Sequence, residues 1–381
     1  MTTNEGKSTA MTRMKAAAVT TRITTLLNCR YPIILPGMSW ISTPELVAAV
    51  SNAGGVGILA TGPLSAAETR DAIRSIRRLT EKSFGIGATL LMPGAVENAK
   101  VALDEQVPLI NVSLGKADWI ADAVHSYGGH LLSTVTNSKH ARAAIESGAD
   151  ALMCTGHEAA AHGGDVTSLV LIPTLAKEFP NTPIVAAGGF ANGQGLAAAM
   201  TLGADAVAMG SRFAVTKESP LAEPTKVAIV GARESDTIYG HHFDGIPARV
   251  LKTPVAQQLM KNRPFFPVIV YRAFQSARTL NIPLWKVLPG LLTQYDKMFM
   301  VAQLGAATKA IQAATVDGDI KEGVQFIGQC QGLIDEIESV EEVVQRIIQE
   351  ADDASTKASI RFGVASSKFN VLTSMQKKSI D

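Results

Sequence analysis

ALMCTGHEAAAHGGD (residues 151–165), PIVAAGGF (183–190) and DAVAMGSRF (205–213) are three short apolar runs separated by helical stretches. Each ends in glycine, or in glycine and a polar residue. Two of the ends, Ala187-Gly188-Gly189 and Met209-Gly210-Ser211, have the composition of an anion grip. Glycines let backbone N–H groups approach a phosphate closely, and a helix starting just beyond adds a favourable dipole. The third end carries His157, Glu158 and His162. An anion grip beside an ionisable cluster is the plan of an active site.

Outward from this stretch the same unit repeats toward the N-terminus. Strands are expected at Tyr31–Met38, Val56–Gly62, Phe84–Leu91, Leu109–Leu114 and His130–Thr136, then at Ala151–Thr155, Ile184–Gly188 and Ala206–Met209. A helical segment follows each, such as 44–53 with Thr43 as cap and Gly54-Gly55 as stop. Strict strand–helix alternation implies right-handed crossovers and a parallel sheet. The strands are apolar throughout rather than alternating, as strands covered on both faces should be. Eight units close an α/β (β/α)8 TIM barrel. A doubly wound open sheet is the runner-up, disfavoured because no GxGxxG follows the first strand.

Beyond Pro220 the rhythm breaks. Ser235–Asp244 reads as loop or irregular strand, and 253–278 and 282–302 as helices cut by prolines. Helices are expected again at 322–334 and 340–351. The domain reading is a flexible tail over 1–20, a barrel from 21–220 and 322–355, a mainly helical insert or lid over 221–321, and a C-terminal tail over 356–381. Residues 1–22 are rich in Ser and Thr and mildly basic; a disordered tail is the plainer reading and a transit peptide the alternative.

The 381 residues carry a formal charge of +1, so no broad field draws the chain to nucleic acid or an anionic membrane. No apolar run is long enough to cross a bilayer. Three cysteines, Cys29, Cys154 and Cys330, form no CxxC and no zinc spacing, and an odd count argues against a secreted disulfide scaffold. A reducing cytoplasm is the expected location. The expected partner is a small molecule, with a homodimer left open.

In barrels of this class reacting groups stand at the C-terminal ends of the strands, and the loops after strands seven and eight frequently hold phosphate. Gly188-Gly189 and Gly210-Ser211 fall there, with Arg212 and Lys217 as nearby cations; tight turns are the plainer reading of either glycine pair alone. His162 can take a proton from a substrate carbon, an effect worth roughly 10²–10⁴-fold. Glu158, four residues earlier, would orient it if the stretch turns helically. A surface histidine in a glycine-rich loop is the competing reading of His162, and His157 ranks second as the functional residue. Cys154 reads as a core residue. His241 and His242 lack partners at metal spacing, so no metal is expected.

The segments GHEAAAHGG (156–164), PIVAAGGFANGQG (183–195), LGADAVAMGSRF (202–213), TRITTLLNCRYPIILPGMSW (21–40), AAVSNAGGVGIL (48–59) and GQCQGLI (328–334) together resemble the nitronate monooxygenase family, formerly 2-nitropropane dioxygenases. That family is related to flavin-dependent enoyl-acyl-carrier-protein reductases. The resemblance implies an FMN-binding TIM barrel. Gly188, Gly189, Gly210 and Ser211 would hold the FMN phosphate, Gly37 and Met38 would lie against the isoalloxazine, and His162 would be the active-site histidine with Glu158 the motif acid. It implies oxidation of a nitronate with O2, or, in the reductase branch, NAD(P)H as co-substrate. A barrel binding a phosphorylated metabolite without redox work is the third reading. The chain departs from the family pattern at Leu35-Pro36, Gly87, Thr155 and Ala160-Ala161, and the first three remove polar side chains expected near the flavin.

Overall fold

The computed structural model describes residues 17–160, 162–243, 246–261 and 309–363. Eight parallel strands close into a barrel in chain order: β1 (Ile33–Leu35), β2 (Val56–Ala60), β3 (Phe84–Thr89), β4 (Leu109–Ser113), β5 (His130–Val135), β6 (Ala151–Thr155), β7 (Ile184–Ala187) and β8 (Ala206–Ala208). Closure runs through β1 and β8, with Ile33 opposite Val207 and Ile34 opposite Ala208. The expected TIM barrel is therefore present. The strands are shorter than their apolar runs at the C-terminal end, where Pro36-Gly37-Met38, Gly188 and Met209 turn out toward the barrel mouth.

Helices α1 (Arg22–Leu26), α2 (Pro44–Asn52), α3 (Ala66–Leu79), α4 (Ala95–Asp104), α5 (Asp118–His125), α6 (Ser138–Glu146), α7 (Ser168–Glu178), α8 (Gly193–Thr201), α9 (Gly210–Ala214) and α10 (Glu223–Val230) interleave with or follow the strands. Alternation along each strand sorts its side chains into two cores. Ile34, Ile58, Leu109, Leu132, Met153 and Val185 fill the barrel interior, and α1 plugs its floor with Ile23 and Leu27. Burying each of those two contributes roughly 1.5–3 kcal/mol. The bidentate pair from Arg22 to Asp205, at 2.8 and 2.7 Å, fastens the plug to the start of β8. The outer core lies between strands and helices.

After α10 comes an antiparallel hairpin, β9 (Thr237–Gly240) and β10 (Ala248–Leu251), followed by α11 (Pro254–Lys261). Residues 309–315 are helical. Of the two readings given for Ser235–Asp244, loop or irregular strand, the strand is present as β9, and it pairs with β10. The helical reading over 253–278 is met by α11 as far as Lys261; its remainder, the reading over 282–302, prolines 264, 267, 283 and 289, and most of the two tails lie outside the described residues.

The helix expected over 322–334 does not form. Phe326 bridges to Val250, and Gln329–Leu333 is a single 3-10 turn. Its glycines explain this: a Cβ on Gly328 would sit 3.0 Å from the Glu158 carbonyl, and one on Gly332 would sit 2.6 Å from the Glu234 amide. The segment is threaded tightly across the barrel mouth. The last helix, α12 (Val340–Arg361), is longer than expected and runs past the boundary drawn at residue 355. It packs on α8, where the Glu350 carboxylate accepts from the Gly193 amide at 2.8 Å.

Candidate active site

Four strand ends converge at the mouth. At the end of β1, the Ser42 hydroxyl donates to the Pro36 carbonyl (2.8 Å) and accepts from the Met38 amide (3.0 Å), which fixes Gly37 and Met38. Gly87 in β3 is held by the Thr61 hydroxyl donating to its carbonyl at 2.6 Å. The two glycines are neighbours: a Cβ on Gly87 would lie 3.9 Å from the Gly37 Cα. They leave a smooth floor between β1 and β3.

The candidate anion grip lies at the ends of β7 and β8. Gly188 and Gly189 adopt φ of +89° and +90°, a left-handed backbone that side chains resist. A Cβ on Gly188 would press on the Gly156 carbonyl at 3.0 Å. Gly210 opens α9 with the Met38 thioether against it, so that a Cβ there would sit 3.2 Å from the sulfur. Met38 thus joins the floor to the grip. The α8 N-terminus is not part of the grip, because Asn192 and Glu350 already accept from its Gly195 and Gly193 amides.

The grip has a neighbour that the sequence reading named only as part of a resemblance. The Gly328 amide donates to the Ser211 hydroxyl oxygen at 3.0 Å. Burial pushes the Cys330 thiol up, against the opposing pull of the Ser211 hydroxyl and the Gly189 amide. Cys330 therefore stands at the grip itself. The signal was present as two closely spaced glycines in GQCQGLI, an arrangement poor for a helix and suited to close backbone approach.

Arg212 and Lys217 do not serve as grip cations in the way expected. The fully buried Arg212 side chain donates to the Val215 and Glu336 carbonyls at 2.9 and 2.8 Å, with Glu338 3.9 Å away. Burial pushes its pKa down to about 10. It braces the chain behind α9. Lys217 is exposed and paired with Glu342 at 3.5 Å.

The loop after β6 carries His157, Glu158 and His162. The helical turn that would set Glu158 under His162 does not form; residues 157–160 make turns and bends. Instead the Glu158 carboxylate accepts from the Ser168 amide at 2.9 Å and lies 3.0 Å from the Ser168 hydroxyl, closing the first turn of α7. His157 packs edge-on against Tyr239, with ring centroids 4.5 Å apart, and its Nδ1 lies 3.1 Å from the Gly164 carbonyl. His162 is half-buried two residues beyond Ala160. Thr155, at the end of β6, is buried and pairs with Ala187; Leu35 is fully buried. Cys154 is a core residue, as read. No group of three or more His, Cys, Asp or Glu able to hold a metal occurs among the described residues. No described helix is long and apolar enough to cross a membrane.

The residues present fit an FMN. The test is geometric: the left-handed pair Gly188-Gly189 and the Gly210 end offer backbone amides to a phosphate, and Gly37 and Gly87 face each other without side chains.

The chain matches the family model described as nitronate monooxygenase over residues 20–108 and 92–350. It is 30% identical over 341 residues to the Mycobacterium tuberculosis protein named (3aS,4S,5R,7aS)-5-hydroxy-7a-methyl-1-oxo-octahydro-1H-indene-4-carboxyl-CoA dehydrogenase, covering 87% of this chain and 96% of that protein. It is 30% identical to a probable nitronate monooxygenase of Staphylococcus saprophyticus, over 61% of this chain and 78% of that one. Among solved structures, FabK from Thermotoga maritima aligns with a TM-score of 0.74 at 34% identity, covering 89% of this chain and 98% of that one.

Proposed function

The chain belongs to the nitronate monooxygenase family of oxidoreductases, and we propose that it is an FMN-dependent enzyme that oxidises a small nitronate or similar carbanion with O2. The observation that carries this reading is the side-by-side arrangement of the Gly188-Gly189 and Gly210 strand ends with the loop that bears His162. Gly188, Gly189, Gly210 and Ser211 would hold the phosphate through backbone amides and the Ser211 hydroxyl. Gly37, Met38 and Gly87 would leave room for the ring. Bound there, FMN would supply a two-electron acceptor that O2 reoxidises.

His162 has the chemistry the substrate requires. A nitronate is the anion left when a carbon next to a nitro group loses a proton; an imidazole can hold that anion by a hydrogen bond, or accept the proton where the neutral nitro compound is what binds. Apolar Leu35, where the family has a polar side chain, leaves one group fewer to orient a small polar substrate. The buried surroundings of the mouth favour an anion whose charge is delocalised.

A second reading has its own support. The relative matched over 96% of its length is named as a carboxyl-CoA dehydrogenase, a thioester-directed activity. On this reading a flavin held at the same residues would carry electrons from NAD(P)H to an enoyl thioester or a quinone. Anaerobic mixing separates the two. Loss of flavin absorbance on adding a nitronate, with none on adding NADH or NADPH, supports the first reading. Rapid loss with a pyridine nucleotide, and reoxidation by an enoyl-CoA, replaces it with the second.

A further inference from the structure

The β9–β10 hairpin reaches across the mouth and grips the loop that carries His162 on both sides of that residue. The Arg249 amide donates to the Ala160 carbonyl at 2.8 Å, and the Arg249 guanidinium to the His157 carbonyl at 3.0 Å. On the other side of His162, the Tyr239 hydroxyl donates to the Gly163 carbonyl at 3.1 Å. Tyr239 and Arg249 are directly opposite each other in the hairpin register, and the guanidinium carbon stands 5.3 Å over the phenol ring. The same ring packs against His157.

We propose that Tyr239 and Arg249 are positioning residues that set where the His162 imidazole stands. The idea rests on His162 being the base of the proposed reaction. Packing alone does not account for the pair. Alternation puts Ile238 and Val250 on the other face of the hairpin, where they form a separate apolar cluster with Phe243, Ala256 and Val324. That cluster supplies the hairpin with its own core and needs neither Tyr239 nor Arg249.

Arg249 is, moreover, an expensive residue to bury. It is almost inaccessible, its Nε has no hydrogen-bond partner, and burial pushes its pKa down. An apolar side chain would cover the same surface at lower cost. What an apolar side chain could not do is hold the His157 carbonyl from one fixed direction while bracing the phenol that holds Gly163. Gly163 has almost no latitude of its own, since a Cβ there would meet the Gly156 carbonyl at 2.5 Å. A shift at either carbonyl is therefore passed directly to His162.

The test is Tyr239→Phe, which keeps the ring against His157 and Arg249 and removes only the hydroxyl, with Arg249→Lys as a second variant that keeps the charge and loses the fork. In flavin-free protein, the rate at which diethyl pyrocarbonate modifies His162, read by peptide mass spectrometry, should change by about two- to tenfold, the worth of one hydrogen bond. In the flavin-loaded enzyme, kcat should fall by a similar factor while KM and flavin content stay put. Unchanged His162 reactivity and unchanged kcat in both folded variants would overturn the proposal. If His162 reactivity changes but His162→Ala keeps full activity, the positioning stands and the assignment of the base falls.

Discussion

The Ser168 hydroxyl lies 3.0 Å from the Glu158 carboxylate and 2.6 Å from the Gly188 carbonyl, so one side chain ties the loop after β6 to the anion grip after β7. A carboxylate at the first turn of a helix is stabilising by itself, and here it caps α7 from outside because Thr167 makes no side-chain cap bond. Ser168→Ala should lower stability by about 1–2 kcal/mol and weaken FMN retention together. Thermal unfolding and the flavin-to-protein ratio after gel filtration check the two effects. A variant that loses stability and keeps its flavin unchanged would separate the serine from the grip.

Gly189→Asp sets a second carboxylate against the Glu158 side chain, beside the proposed phosphate position, and asks a side chain to adopt φ of +90°. The strain costs about 1–3 kcal/mol, and like charge adds to it. The purified variant should carry little flavin. A full complement of FMN would mean that the phosphate lies elsewhere.

Gly193→Ala tests the scaffold without touching the mouth. A Cβ on Gly193 would run into the Ile347 carbonyl and the Ala351 amide, both on α12. Backbone cannot move aside as a side-chain end can, so α12 must lift from α8. Overpacking of this kind costs about 1–3 kcal/mol, and Tm should fall by several degrees with the flavin affinity of the folded fraction unchanged. An unchanged Tm would show that α12 docks loosely.

The start of α12 should also respond to acid. The Ser339 amide, then its hydroxyl, then Lys217 hold the Glu342 carboxyl down at about 2, below its ordinary 4.5. A depressed folded-state pKa contributes stability above the ordinary value that is lost as pH falls through about 2. The Tm difference between the wild type and Glu342→Gln should therefore be largest near neutrality and shrink as pH drops from 4.5 toward 2. A difference independent of pH would remove this cap from the account.

Much of the barrel can be read from residue order because each unit is local: a buried apolar run, a glycine, a helix. Ile184–Ala187 and Ala206–Ala208 end where their glycines say they do. What could not be read depends on partners far along the chain. Glu158 sits at helical spacing from His162, but its carboxylate lies on Ser168, and nothing in local spacing gives that choice. Arg212 follows a phosphate-type turn yet its Nη2 donates to the Val215 and Glu336 carbonyls, the latter more than a hundred residues away. Tyr239 and Arg249 meet only because the hairpin forms, and their run of mixed polar residues has no strand signature. The glycines of 328–332 argue against a helix in the sequence, but which backbones they approach, those of Glu158 and Glu234, is known only from the fold.

The central claim is that this mouth holds FMN, and the visible absorbance spectrum of the purified protein tests it most directly, followed by heat release and identification of the chromophore. The account predicts a flavin spectrum and released FMN, with the colour lost in Gly189→Asp and kept in His162→Ala. A colourless protein that takes up no added FMN would contradict it, and the grip at Gly188, Gly189 and Gly210 would then belong to a different phosphorylated ligand.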